Sequence, residues 1–93
     1  MKKTFAWNSE KNEILKKERK ISFENVVAAI EAEYLIDIIK NPNQEKYPSQ
    51  KIFIVKILDY IYMVPFVEND TEIFLKTIIP SRKYKKKYKN EEN

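Results

Sequence analysis

Two apolar runs, Lys51–Ile57 and Tyr60–Val67, stand with only Leu58-Asp59 between them. Two β-favouring runs joined so closely read as an antiparallel hairpin, and this pair constrains the fold more than any other stretch of the chain. With Ile57 opposite Tyr60, one face carries Phe53, Val55, Ile57, Tyr60, Tyr62, Val64 and Phe66, and the other carries Ile52, Ile54, Lys56, Ile61, Met63 and Pro65. Both faces are largely apolar, so the hairpin belongs inside a sheet that is covered on one side and only partly exposed on the other. Tyr60 and Tyr62 are expected in the core. The runs join through Leu58-Asp59 as a tight hairpin; Leu58 is poorly suited to the positive φ of such a turn, which leaves a longer one as the alternative. Pro65 has no N–H to give to a ladder and predicts an edge or bulged position.

The remaining elements follow from local patterning. Thr4–Trp7 reads as a short strand that Asn8 stops, and Asn8 or Ser9 caps a helix running to about Arg19 whose sparse apolar positions are Ile14 and Leu15. Ser22 is the expected N-cap of a second helix, Phe23 to about Glu33, with Ile21 and Val26 spaced as a hydrophobic staple. Phe23, Val26, Val27, Ile30 and Tyr34 share its inner face. Tyr34–Ile39 reads as a strand, residues 40–50 as a loop, and Glu72–Ile79 as a last strand stopped by Pro80. Ser81 opens a basic helix over about residues 82–90, and the last few residues are expected to fray. The predicted order is β-α-α-β-β-β-β-α, an α+β domain with an antiparallel sheet packed by helices.

The chain's 93 residues suffice for one domain. It contains no cysteine, histidine or glycine, which excludes disulfides, thiolate chemistry, Ser-His-Asp triads, zinc sites of the usual kind and glycine-rich phosphate loops. No cofactor and no metal are expected. The N-terminal stretch lacks the apolar core of a signal peptide, and charges interrupt every apolar run, so a cytoplasmic location with no membrane partner is expected. Net charge is +4, and residues 80–93, with six basic and two acidic side chains, account for the excess. Residues 1–20 are also locally basic, with seven basic against three acidic. If the fold brings the two ends together, they form one cationic surface suited to a polyanion.

Several short motifs in order resemble the BrnT family of RelE-like toxins. Phe5-Ala6-Trp7-Asn8 resembles that family's opening F-x-W-[DN]; Asn12 and Lys16 fit N-x-x-x-K; Ile21-Ser22-Phe23-Glu24 matches I-S-F-E; and Ile78-Ile79-Pro80-Ser81-Arg82-Lys83 resembles I-I-S-A-R-K. The resemblance spans about residues 4–88. It implies a RelE-like fold, metal-independent mRNA endoribonuclease activity, ribosome-associated or free, that blocks translation, and neutralisation by a ribbon-helix-helix antitoxin through which operator DNA is reached indirectly. Two departures stand out. Glu18-Arg19-Lys20 replaces the family's Lys-His-Gly at the end of the first helix, and Thr77 stands where many members carry arginine.

RelE-type cleavage uses the substrate's own 2′-hydroxyl, so the protein must hold the phosphodiester in line and stabilise developing charge. Guanidinium groups suit that task, and Arg19 and Arg82 are the two arginines of the chain. Arg19, Arg82 and Lys16 are therefore the candidate catalytic residues. Lys83, Lys76, Tyr84 and Lys86 are candidate RNA contacts, Tyr84 and Tyr88 sharing one face of the expected last helix among lysines. A solvated surface charge or a carboxylate pair is the competing reading for each arginine, a solvated charge for each lysine, and docking of the helix for each tyrosine. No residue is assigned as general base. The alternative to a ribonuclease is a non-catalytic nucleic-acid-binding module of the same fold; a third reading is an interaction protein with no nucleic-acid role.

Overall fold

Eight elements run through residues 3–81, which the computed structural model describes: β1 (Thr4–Trp7), α1 (Ser9–Arg19), α2 (Phe23–Glu31), β2 (Leu35–Lys40), β3 (Lys51–Ile57), β4 (Tyr60–Glu68), β5 (Glu72–Leu75) and β6 (Ile79–Pro80). The expected last helix lies outside the described residues.

Each helix end is made with side chains and strained backbone rather than glycine. The Asn8 side chain accepts the Lys11 N–H at 2.9 Å and caps α1. Lys20 closes that helix at φ 55°, the left-handed region that favours glycine. Ser22 caps α2 in a reciprocal box: its hydroxyl accepts the Asn25 N–H at 3.2 Å, and the Asn25 side chain accepts the Ser22 N–H at 2.9 Å. Ile21 and Val26, the expected staple, are both buried in one cluster. α2 stops two residues earlier than its pattern predicts. Glu33 there turns to φ 68°, with its N–H on Ile30 and the Tyr34 N–H on the Ala29 carbonyl, the paired bonds of a Schellman motif.

The sheet order is β1-β5-β4-β3-β2. β2 to β5 form an antiparallel meander, whereas β1 lies parallel to β5 at one edge. The sheet is therefore mixed rather than antiparallel throughout. The expected pairing of Ile57 with Tyr60 holds along the whole hairpin. Its turn is two residues long: Leu58 and Asp59 take φ values of 49° and 71°, the two left-handed positions of a type I′ turn. The sheet's drive to keep Ile57 and Tyr60 in register outweighs the dislike of Leu58 for that conformation.

The last strand is divided. Leu75 pairs with Phe66 and Ile79 with Met63, so four steps along one strand answer three along β4, and residues 76–78 contain a bulge. Pro65 sits opposite it. The Pro65 carbonyl accepts the Lys76 N–H at 2.8 Å, and within a strand the N–H and C=O of one residue point to the same neighbour. Its missing donor thus falls on the bulged side, where no regular ladder bond is lost. Pro65 is in a central strand and at a bulge, one of the two places its sequence allowed.

Both helices cover one face of the sheet. Leu15, Ile21, Phe23 and Val26 pack there on Phe53, Val55, Val64, Phe66, Leu75 and Ile78, with the Phe53 and Phe66 rings stacked 3.9 Å apart. Ile52, Ile54 and Ile61 form a second buried cluster on the other face. Ile14 is 48% exposed, and the second buried residue of α1 is Asn12. The Asn12 amide nitrogen donates to Glu24 Oε1 at 2.7 Å, and its oxygen accepts the Phe23 N–H at 2.8 Å. One side chain thereby holds the first turn of α2 against α1, while the Trp7 ring stacks on Phe23 at 5.8 Å.

Asn12→Ala leaves the buried Phe23 N–H without its partner and is expected to destabilise the fold by about 1–3 kcal/mol in urea unfolding. Leu58→Gly removes the left-handed penalty at an exposed turn and is expected to stabilise by about 1 kcal/mol in the same measurement.

Candidate nucleic-acid interface

Asn12, Lys16 and Arg19 fall at i, i+4 and i+7 of α1 and so share one stripe. The stripe begins at the joint with α2 and ends at the sheet. Arg19 Nη1 donates to the carbonyl of Ile78 at 2.7 Å, between the bulge and β6. The fork of a guanidinium carries five N–H donors, so this bond leaves most of them for another acceptor. Beyond Ile78 the chain pairs with β4 through Ile79 and Pro80 and reaches Ser81, whose N–H donates to the Ile61 carbonyl at 3.0 Å. The basic end of α1 is thus tied to the segment that leads directly into Arg82.

Arg82, Lys83, Tyr84 and Lys86 themselves lie outside the described residues, as does Tyr88. Lys16 is exposed and pairs with Glu13 at 3.0 Å. Hydrogen bonding to Glu13, with the charges of Glu13 and Glu24 nearby, raises its pKa above 10.5 and keeps it cationic. Lys76 does not join this group. Its ammonium lies 5.3 Å from the centre of the Phe74 ring, on the face away from the helices, because the neighbouring Leu75 and its partner Phe66 belong to the helix-covered core. Thr77, where the resembling family often has arginine, is part of the bulge.

A cleft of about 740 Å³ opens next to Lys20, between α2 and the tip of the hairpin. Ala28, Ala29 and Ala32 form a wall of small side chains, and Tyr34, Tyr60 and Tyr62 line it with Lys20, Asn25, Lys56, Leu58 and Asp59. The Lys56 N–H donates to the Tyr34 carbonyl at 3.0 Å and fixes this tyrosine's backbone beside the hairpin. Tyr60 is 53% exposed rather than core, and Tyr62 is half-buried. Burial, and then the neighbouring Tyr60, push the Tyr62 phenol above its usual pKa, so it remains protonated. Lys20 stood out in the sequence only as a departure from the resembling family, and Tyr34, expected on the inner face of the second helix, lies beyond its end and is exposed. The signal for Lys20 was the helix end with no glycine to close it, and the alanines of α2 were the signal for the space.

Comparison with family models, curated proteins and solved structures finds no match. Among the described residues, no helix is long and apolar enough to cross a membrane.

Glu24 generates a pH-dependent contribution. The Asn12 amide, a backbone hydrogen bond and the Lys16 charge hold its carboxyl below the ordinary range. A carboxyl depressed in the folded state stabilises above its unfolded pKa, and the contribution is lost as pH falls through the folded value. Glu68, held down by hydrogen bonds from Lys3 and Lys51, acts with the same sign. The urea midpoint should therefore fall as pH drops below about 4.5, and Glu24→Gln should flatten that fall in parallel titrations.

Proposed function

We propose that this chain is the toxin of a toxin–antitoxin pair, similar to the BrnT family of RelE-like ribonucleases. In this reading it acts in the cytoplasm on RNA without a metal, blocks translation, and is silenced by a ribbon-helix-helix antitoxin. The observation that carries it is the bond from Arg19 to Ile78, which places the basic end of α1 beside the strand leading into Arg82. The fragments that carry the family resemblance also converge: Trp7 stacks on Phe23, and Asn12 binds both Phe23 and Glu24. Lys20 adopts the left-handed conformation that the family's glycine would supply at the same point.

In this mechanism the 2′-hydroxyl of the RNA attacks the adjacent phosphorus, and the 5′-oxygen leaves. Arg19 and Arg82 grip the non-bridging oxygens as negative charge grows on them, with Lys16 adding field at the approach. Lys83, Lys86 and Tyr84 follow the RNA from the cleavage point, and Lys76 meets it if the strand passes to the second face of the sheet.

Two observations favour a non-catalytic RNA-binding module as the second reading. Arg19 serves as a strut to Ile78, and Lys16 is paired with Glu13. Such a module would bind RNA with steep salt dependence and leave it intact.

Expression without the antitoxin should arrest growth, and Arg82→Ala should relieve the arrest while the protein stays folded. Cleavage of purified RNA should drop about 10²–10³-fold in the same variant, as for loss of one oxyanion donor. RNA left whole by the parent protein, both free in chelator-containing buffer and on translating ribosomes, would reject the ribonuclease and leave the binding module.

A further inference from the structure

All four positive-φ residues among the described residues border the cleft between α2 and the hairpin tip. Lys20, Leu58 and Asp59 line it, and Glu33 stands between two lining residues, Ala32 and Tyr34. None is glycine, so each is disfavoured by its own Cβ. Strained backbone that persists in this way gathers where a surface binds a ligand. Exposed apolar area gathers at the same place. Leu58 is 88% exposed, Tyr34 56% and Tyr60 53%, an arrangement that marks a contact surface rather than scattered side chains.

The lining chemistry selects the ligand. Tyr60 and Tyr62 are neighbours in the lining, with ring centres 6.4 Å apart and planes tilted by 52°, so one ring can meet a flat aromatic group by its face and the other by its edge. Tyr34 and the small side chains of Ala28, Ala29 and Ala32 line the same cleft. Lys20 lines the cleft and follows directly on the basic last turn of α1, with Lys16, Lys17 and Arg19, which favours phosphate there. Asn25, whose amide oxygen accepts the Ser22 N–H, offers its NH2 to a base edge, and Asp59 an acceptor to a sugar hydroxyl.

We propose that this cleft seats one base of single-stranded RNA, stacked on the exposed Tyr60 with Tyr62 meeting its edge, and with its phosphate held by Lys20. The proposal rests on the RNA-directed reading above and adds to it a subsite apart from the contact of Arg19 with Ile78, between α2 and the hairpin tip. Its ligand class is a nucleotide within a single strand, because a duplex cannot offer an unstacked base. Discrimination for RNA over DNA comes from Asp59, which can accept from a 2′-hydroxyl.

The test is binding of a short fluorescent RNA carrying 4-thiouridine, followed by ultraviolet cross-linking and mass spectrometry of the labelled peptides. Cross-links are expected on Tyr34, Tyr60 or Tyr62. Tyr60→Ala should weaken affinity at least about fivefold, the lower end for one stacked base, while Tyr60→Phe should stay within about twofold because the ring face is kept. Asp59→Ala should narrow the preference for RNA over the matching DNA. Full affinity in Tyr60→Ala, with cross-links elsewhere, would overturn the subsite and leave RNA binding standing. Unchanged RNA affinity with lost neutralisation by the antitoxin would instead make the cleft a protein-docking surface and also overturn it. Failure of the parent protein to bind RNA even at low salt would end both this subsite and the reading it rests on.

Discussion

A single buried amide organises the first third of this molecule. Asn12 satisfies one otherwise orphaned donor at the start of α2 and at the same time fixes the Glu24 carboxylate. Because it is nearly sealed from solvent, the two bonds are made in surroundings where an unmet polar group is expensive. The angle between the helices is therefore set by hydrogen-bond geometry, whereas apolar contact alone would tolerate sliding. Everything further along α1 inherits that placement, including where Arg19 arrives on the sheet.

The hairpin register, the two helix caps, the staple of Ile21 and Val26, and the bulge implied by Pro65 were legible because each depends on neighbours in sequence. The parallel pairing of β1 with β5 was not. Thr4–Trp7 alternates no differently for a parallel partner than for an antiparallel one, and its neighbour is chosen by a crossover through both helices. The Leu58-Asp59 turn was legible as a tight one, although its residues left a longer turn open. Local preference argues against Leu58 at positive φ, but seven register pairs along the hairpin act together against one strained residue.

The candidate site was legible to a lesser degree. Arg19 was picked out by chemistry and by resemblance, and its contact with Ile78 is of a kind no pattern displays: a long side chain meeting a main-chain carbonyl 59 positions away. Asn12 entered the sequence reading as part of a motif, and its role as a joint appears when Phe23 and Glu24 are seen beside it. Lys76 looked equivalent to other cations, yet strand alternation turns it to the second face. The tyrosines at the hairpin tip were assigned to the core because their strand is apolar, and strand ends are where such a pattern ceases to guarantee burial.

The neighbourhood of β1 bears on how the protein is made. Its hydrogen-bonding partner is β5, and Thr4 reaches the Thr71 carbonyl while Lys3 meets Glu68. β1 thus waits for a neighbour made much later in the chain, and α1 gains its anchor at Ile78 later still. Contacts of such high sequence separation form slowly. A chain cut short before β5 leaves β1 without its ladder and Arg19 without the carbonyl that holds it, so neither helix end nor sheet edge is fixed until those residues exist.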